Sequence, residues 1–399
     1  MPKTANEEFF DALTRHNIYT QRYSAGIANR INALLAKTEE DLAMRIRDKL
    51  RNSKGLTTPV EWLRLQALLK SISTLRGEAW DKAYKDIAEE LTQFAYKEPI
   101  FISDAIKASV PVVIETVLPT ARMLKSIALS RPFQGKILKD WAATMKREDL
   151  ANIANAIQLG MTEGQSNEQI ARRVIGTKAA NFTDGVTDMS RTQVNRVVRT
   201  AVQHVANGAR NELFLENADI VEEERFVATL DGRTTPVCRA NDGKIFLLGK
   251  GPLPPLHYQC RSLRIAWFGE ALGKRPAKPV TEKQLLREFG EENKLGNLKN
   301  RDAIPRGMKS KYDAFSRKRI RELTGPIPAE TTYQKWMEGQ SKEFQEDVMG
   351  KTKAQLFRDG KLPLDRFVDV NGQELTLSEL AKRDADAFIS AGLDPADFN

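Results

Sequence analysis

Residues 225–268 read RFVATLDGRTTPVCRANDGKIFLLGKGPLPPLHYQCRSLRIAWF, and their texture differs from the rest of the chain. Phe226-Val227-Ala228-Thr229-Leu230 alternates as a strand does, and Asp231-Gly232 is a turn pair. Residues 244–247 follow Asp242-Gly243 as a second strand, residues 262–267 form a third, and the Pro-rich GPLPPLHYQC lies between these two. A small β module thus interrupts a chain that elsewhere carries helical periodicity. The expected fold class is predominantly α with a small β module (α+β) and an extended helical N-terminal region.

On the N-terminal side of the module, residues 187–215 place Val194, Val198, Ala201, Val205 and Ala209 on one helical face. In residues 157–176, IQLGMTEGQSNEQIARRVIG, Gly160 and Gly164 interrupt one helix. Ser166 opens the next as an N-cap with Gln169 as its capping-box partner, and Gly176 ends it. Nearer the start, residues 18–50 carry Ile27, Ile31, Leu34, Leu35 and Leu42 at helical spacing. After a break at residues 52–58, Thr58 as N-cap and Pro59 at the first helical position open a second long pattern, through Leu65, Ile72, Trp80, Ile87 and Leu91 toward Phe94. Two such helices suggest an extended antiparallel hairpin able to insert between subunits of an assembly. A bundle packed on its own chain is the other reading.

Beyond the module, residues 269–325 are polar and basic, with Lys309, Lys311, Arg317, Lys318, Arg319 and Arg321, and are expected to be a linker or arm. Helical patterning returns around Tyr333, Trp336, Phe344, Val348 and Leu356. A hairpin at 367–375 turning at Asn371-Gly372 and a closing helix at 376–391 follow. The expected organisation is a long-helix region 1–129, a helical core 130–220, the β module 221–268, the basic segment 269–325 and a C-terminal helical and hairpin domain 326–399.

The chain's 399 residues suggest more than one core, and 41% hydrophobic with 29% charged residues is the balance of a chain that folds. Lys and Arg number 62 against 53 Asp and Glu, a net charge of +9 that permits a nucleic-acid neighbour without requiring one. The opening MPKTANEEFF lacks the pattern of a secretory signal, and the most apolar run, residues 110–118, is short and contains Glu115. The expectation is a soluble protein made in a cytoplasm.

One cluster holds ligand-type side chains: Cys238, His257 and Cys260, spaced Cys-x18-His-x2-Cys. Zinc takes four ligands, or three and a water, so Asp231 or Asp242 is a candidate fourth ligand. Structural zinc, a disulfide and free thiols all remain open. A catalytic reading lacks partners. The chain has three histidines; His16 is expected at the surface of the N-terminal helix and His204 on a helix flank. Without a nucleophile elbow, phosphate-cradling loop or His-Glu-x-x-His, no catalytic residue is nominated and the chain reads as a non-enzyme. Arg191 and Thr192 at a helix start, with Asn195 one turn on, form a second polar group, best read as a cap with inter-helix hydrogen bonds.

Three stretches together resemble the phage Mu F-like minor head protein family, over roughly residues 130–268. The first is Pro132-Phe133-Gln134-Gly135 through Trp141, joined to Gly160-x3-Gly164-x-Ser166. The second is Ser190-Arg191-Thr192-x2-Asn195. The third is Thr229-x-Asp231-x-Arg233-Thr234-x3-Cys238, then Asp242-Gly243, then Pro254-Pro255-x-His257-x2-Cys260-Arg261. The stretch from Tyr333 and Trp336 to Gly350, then Leu356-Phe357-Arg358-x-Gly360 and Phe367, is similar to the tail of such proteins. Where family members often carry two further cysteines, this chain has Thr235 and Ser262, which leaves fewer candidate zinc ligands.

The resemblance implies a minor head protein of a tailed bacteriophage, made in the host cytoplasm and placed in the head interior or at the portal vertex. Its implied partners are the portal protein, major capsid or scaffold proteins and packaged DNA, with no membrane in the assembled state. A metal-dependent DNA-binding or nuclease protein and a virion protein ejected with the genome are the alternatives.

Overall fold

A computed structural model describes residues 4–51, 53, 55–109, 115–268, 274–323, 325–328 and 331–398. Parts of three expected features, the break at 52–58, the apolar run at 110–118 and the start of the basic segment at 269–273, lie outside the described residues.

Helix α1 spans Ala5–Ala36, opened by a capping box between Thr4 and Glu7. Helix α2 is Glu39–Lys49. Helix α3 runs Pro59–Ser109, 51 residues or about 77 Å at 1.5 Å per residue, and continues through Pro99 past the Phe94 at which the sequence pattern fades. Then come α4 (Ala121–Leu129), α5 (Leu138–Thr162), α6 (Asn167–Ile175) and α7 (Thr187–Glu216). The capping box of Ser166 and Gln169 forms as expected, and Gly176 closes α6 with φ +86°.

The long helices pack on their own chain. Ile27, Ile31 and Leu35 of α1, Trp80, Ile87, Leu91 and Phe94 of α3, and Val194, Val198, Ala201 and Val205 of α7 share one core. The hairpin expected from the first two helices is therefore part of a bundle, because the apolar stripe of α7 needs both of them. At about 1.5–3 kcal/mol per fully buried large side chain, that shared core binds residues 1–129 to residues 130–220 as one body. A second core joins Leu42 and Ile46 of α2, Leu65 and Leu68 of α3, Ile153 and Ile157 of α5, and Ile170 and Val174 of α6.

The β module closes the other end of the bundle. Strands β1 (Glu223–Val227), β3 (Ile245–Leu247) and β4 (Leu263–Trp267) form an antiparallel sheet in the order β3-β1-β4, with Arg225 opposite both Ile245 and Ile265. Val227, Leu263 and Ile265 pack on Phe9, Phe10 and Leu13 of α1, Ile102 and Ile106 of α3, and Phe214 of α7. Between β1 and β3 lie the two-residue strand β2 (Leu230–Asp231) and the short helix α8 (Pro236–Asn241).

Strand β2 belongs to a second sheet, parallel to β5 (Lys274–Lys278), which pairs antiparallel with β6 (Gly325–Pro328). The segment expected as a basic linker is folded. Helices α9 (Glu282–Glu292) and α10 (Lys309–Leu323) carry a core of Val280, Leu285, Leu286, Phe289, Leu298, Ile304 and Tyr312. These apolar residues are sparse and separated by basic ones, which hides the pattern in sequence.

Helices α11 (Tyr333–Glu338), α12 (Lys342–Met349) and α13 (Lys351–Arg358) follow, then a bridge between Val368 and Glu374 closing the expected hairpin. The expected last helix is two, α14 (Leu377–Arg383) and α15 (Ala385–Ser390), separated at Asp384, whose carboxylate accepts from Arg366. Leu230 and Ala277 enter the core of Tyr333, Trp336, Phe344, Leu356, Phe367 and Phe388, so the β module and the C-terminal unit share a sheet and a core.

Candidate functional site

The site is built on the excursion between β1 and β3 and the loop before β4. After β2 the chain turns through Gly232 and Arg233, and α8 carries Cys238 on its buried face. Asp242, after α8, accepts the backbone N–H groups of Ala228 and Tyr333, each at 2.7 Å. Gly243 then takes φ +81°, and a Cβ there would stand 2.8 Å from Thr332 Cγ2, so both the backbone and the space call for glycine. On the loop before β4, Gln259 donates its N–H to Thr200 Oγ1 at 2.9 Å, and the Arg196 guanidinium lies 3.6 Å from the centre of the Tyr258 ring. Helix α7 thereby braces the loop that holds His257 and Cys260.

These elements bring Cys238, His257 and Cys260 together. Cys238 Sγ lies 3.3 Å from His257 Nε2 and 3.7 Å from Cys260 Sγ, and the three ligand atoms fall within 4.8 Å of one another. Both thiols are free and buried, in a core with Phe226 and Ala228. Tetrahedral zinc with bonds of about 2.3 Å to sulfur and 2.0–2.1 Å to nitrogen sets sulfurs about 3.8 Å apart and sulfur and nitrogen about 3.5 Å apart, close to the two separations from Cys238. A disulfide needs about 2.05 Å, and the two sulfurs stand apart as thiols. His257 Nδ1 donates to the Tyr258 carbonyl at 2.8 Å, which turns Nε2 toward the sulfurs.

The sulfurs act on each other. Cys260 supports the neighbouring proton on Cys238, and that contact with burial raises the Cys238 thiol. Cys260 is held well below its ordinary value by that hydrogen bond and, against burial, by His257. The hydroxyls of Ser262 and Thr235 both act on the Cys238 sulfur.

Neither aspartate expected as a fourth ligand joins the group. Asp231 pairs with Arg261, which donates to it through Nη2 at 2.8 Å, and accepts the Arg233 N–H at 3.0 Å and the Thr234 hydroxyl at 3.3 Å. Burial would raise Asp231, but Arg261 outweighs it and holds the carboxyl below the usual range. Asp242 is occupied by its two backbone donors. Both carboxylates shape the turn around α8. Pro255 contributes its carbonyl, which accepts from Gln134 Nε2 at 3.2 Å, so the Pro132–Gly135 stretch meets the Cys/His loop.

Arg191, Thr192 and Asn195 lie elsewhere. Arg191 clasps the Glu39 carboxylate at 2.6 and 2.5 Å and donates to the Phe182 carbonyl at 2.9 Å, Asn195 donates to the Arg191 carbonyl at 3.0 Å, and Thr192 is exposed. His16 is a correction to the sequence reading: its side chain is 10% exposed, stacks 3.9 Å from the Phe101 ring and meets Glu98 at 2.6 Å. His204 lies between α7 and Phe133, with ring centres 5.4 Å apart, so neither histidine stands beside His257.

Sequence reading passed over the polar stripe of α7. Gln203 donates to the Ser262 carbonyl at 2.9 Å, and Arg210 donates to Glu98 at 2.8 Å and to the Arg264 carbonyl at 3.3 Å. Asn207 sits between them, buried. From α1, Asn17 donates to the Arg261 carbonyl at 3.0 Å. The signal was present as Gln203, Asn207 and Arg210 at helical spacing beside the apolar stripe.

No curated protein and no solved structure matches the chain significantly. Among the described residues no helix is long and apolar enough to cross a membrane. Residues 151–265, a stretch that holds α6, α7, β1, β3 and all three residues of the Cys/His cluster, match the family described as phage Mu protein F like protein.

Proposed function

We propose that this chain is a minor head protein of a tailed bacteriophage, recruited to the procapsid with the portal protein and acting in head assembly beside the packaged DNA. The observation that carries this reading is the phage Mu F-like match over residues 151–265. Two features of the fold support it. Val60, Trp62 and Leu63, at the start of the 51-residue α3, are 57%, 45% and 68% exposed, an apolar surface of the kind an assembly partner covers. The net charge of +9 suits a neighbour rich in phosphate.

Quantitative mass spectrometry of gradient-purified procapsids and mature virions tests the reading. The expected result is a few copies per particle, lost when the portal protein is deleted. Absence from both particles would overturn it and bring forward a metal-dependent DNA-binding protein. Presence in full virions with loss from discharged ones would add ejection to the role.

A further inference from the structure

The Cys/His cluster borders a cleft of about 200 Å³ between α7 and the loop of residues 257–261. His257, Cys260 and Thr235 line it from the loop side, Gln203 and Arg199 from α7, and Arg233 from the turn after β2. Arg199 and Arg233 are exposed side chains, and neither is held in an ion pair among the described residues.

We propose that Cys238 Sγ, Cys260 Sγ and His257 Nε2 bind one zinc ion whose fourth position opens into this cleft and takes a phosphate oxygen. Two thiolates and an imidazole are the ligand set of zinc rather than of magnesium or calcium, which take oxygen. The 3.7 Å between the sulfurs and the 3.3 Å from the Cys238 sulfur to the His257 nitrogen are separations that one zinc ion bridges, and all three ligand atoms lie within 4.8 Å of one another. The His257 ring is already turned for binding by its bond to the Tyr258 carbonyl. Binding displaces the thiol protons to solvent.

The fourth ligand comes from outside the chain. Asp231 is committed to Arg261 and Asp242 to two backbone amides. Two thiolates cancel the charge of the ion, so the centre itself does not repel an anion, and the guanidiniums of Arg199 and Arg233 supply the attraction. The proposal concerns the chain alone and holds whether or not the protein is a portal-associated head component.

The test uses the full chain purified under reducing conditions without chelator. Elemental analysis is expected to find about one zinc per chain, and Cys238→Ser and Cys260→Ser each to lose it. Reduced wild-type protein that carries no zinc and takes up no Co²⁺ would overturn the proposal, and that outcome does not depend on whether the variants fold. In the Co²⁺ form, a thiolate-to-metal charge-transfer band is expected, and inorganic phosphate is expected to shift the visible bands. The double variant Arg199→Gln/Arg233→Gln is expected to keep the metal and to need about tenfold more phosphate for that shift. A cobalt spectrum indifferent to phosphate would overturn the open fourth position.

Discussion

His204 shows how a single side chain ties this fold to pH. It lies against Phe133, and its pKa is lowered to about 4 because burial disfavours the charged ring, with the Arg131 charge acting the same way. Hydrogen bonds with the backbone of Ile127 and Arg131 oppose the shift without cancelling it. The folded value lies below the unfolded value of about 6.5, so the unfolded chain binds the extra proton first as pH falls. The contribution of neutral His204 is therefore complete above about pH 6.5 and is lost between there and about pH 4. Wild-type protein is expected to lose about 2 kcal/mol more stability than His204→Gln between pH 7 and 4.5, measured by urea unfolding at each pH. Equal losses in the two proteins would show that His204 does not carry the effect. The residue was visible in the sequence only as a histidine on a helix flank. Its burial comes from α4 and the Phe133 turn, which no local pattern places against α7.

Among elements, the tie between α3, α5 and α7 rests on one buried carboxylate. Asp149 of α5 accepts from Arg76 Nε and Trp80 Nε1 of α3, each at 2.6 Å, and from the Ser190 hydroxyl of α7. Arg76 also donates to the Leu35 carbonyl at 2.6 Å and Thr38 Oγ1 at 2.8 Å, so the pair fixes the end of α1 as well. Both charged side chains are 1% exposed. Asp149→Ala strands the guanidinium and is expected to cost about 3–5 kcal/mol by denaturant midpoint, whereas Arg76→Met/Asp149→Leu is expected to recover most of that loss. A cost under about 1 kcal/mol for Asp149→Ala would remove the pair from any account of how these helices are registered. The helices themselves were legible because their apolar stripes repeat every three to four residues, and the capping boxes at Ser166 and the turn at Asn371-Gly372 were legible from their own chemistry. Arg76 and Asp149 were not, because on a helix a polar residue facing a partner and one facing water look alike.

At the scale of the whole molecule, the family-matched segment does not contain its own core. Val194, Val198, Ala201 and Val205 of α7 are buried by Ile27, Ile31 and Leu35 of α1 and by Trp80, Ile87 and Leu91 of α3, all outside residues 151–265. The inner face of the first sheet is likewise buried by Phe9, Phe10, Leu13, Ile102 and Ile106. A fragment of residues 151–265 would expose both surfaces to water, without burial to offset the chain entropy lost on ordering them. It is expected to lack a cooperative thermal transition by circular dichroism and to be digested rapidly by trypsin. A fragment of residues 1–268 keeps the bundle core, the core at the far end and the sheet-capped end. It is expected to melt cooperatively, with the turn around Asp231 and Asp242 loosened because Leu230 has lost the C-terminal core and Asp242 the Tyr333 amide. A cooperative melt from 151–265 alone would mean that α1 and α3 are dispensable, and the long helices would then be free to leave the bundle for a partner, as the hairpin reading of the sequence supposed.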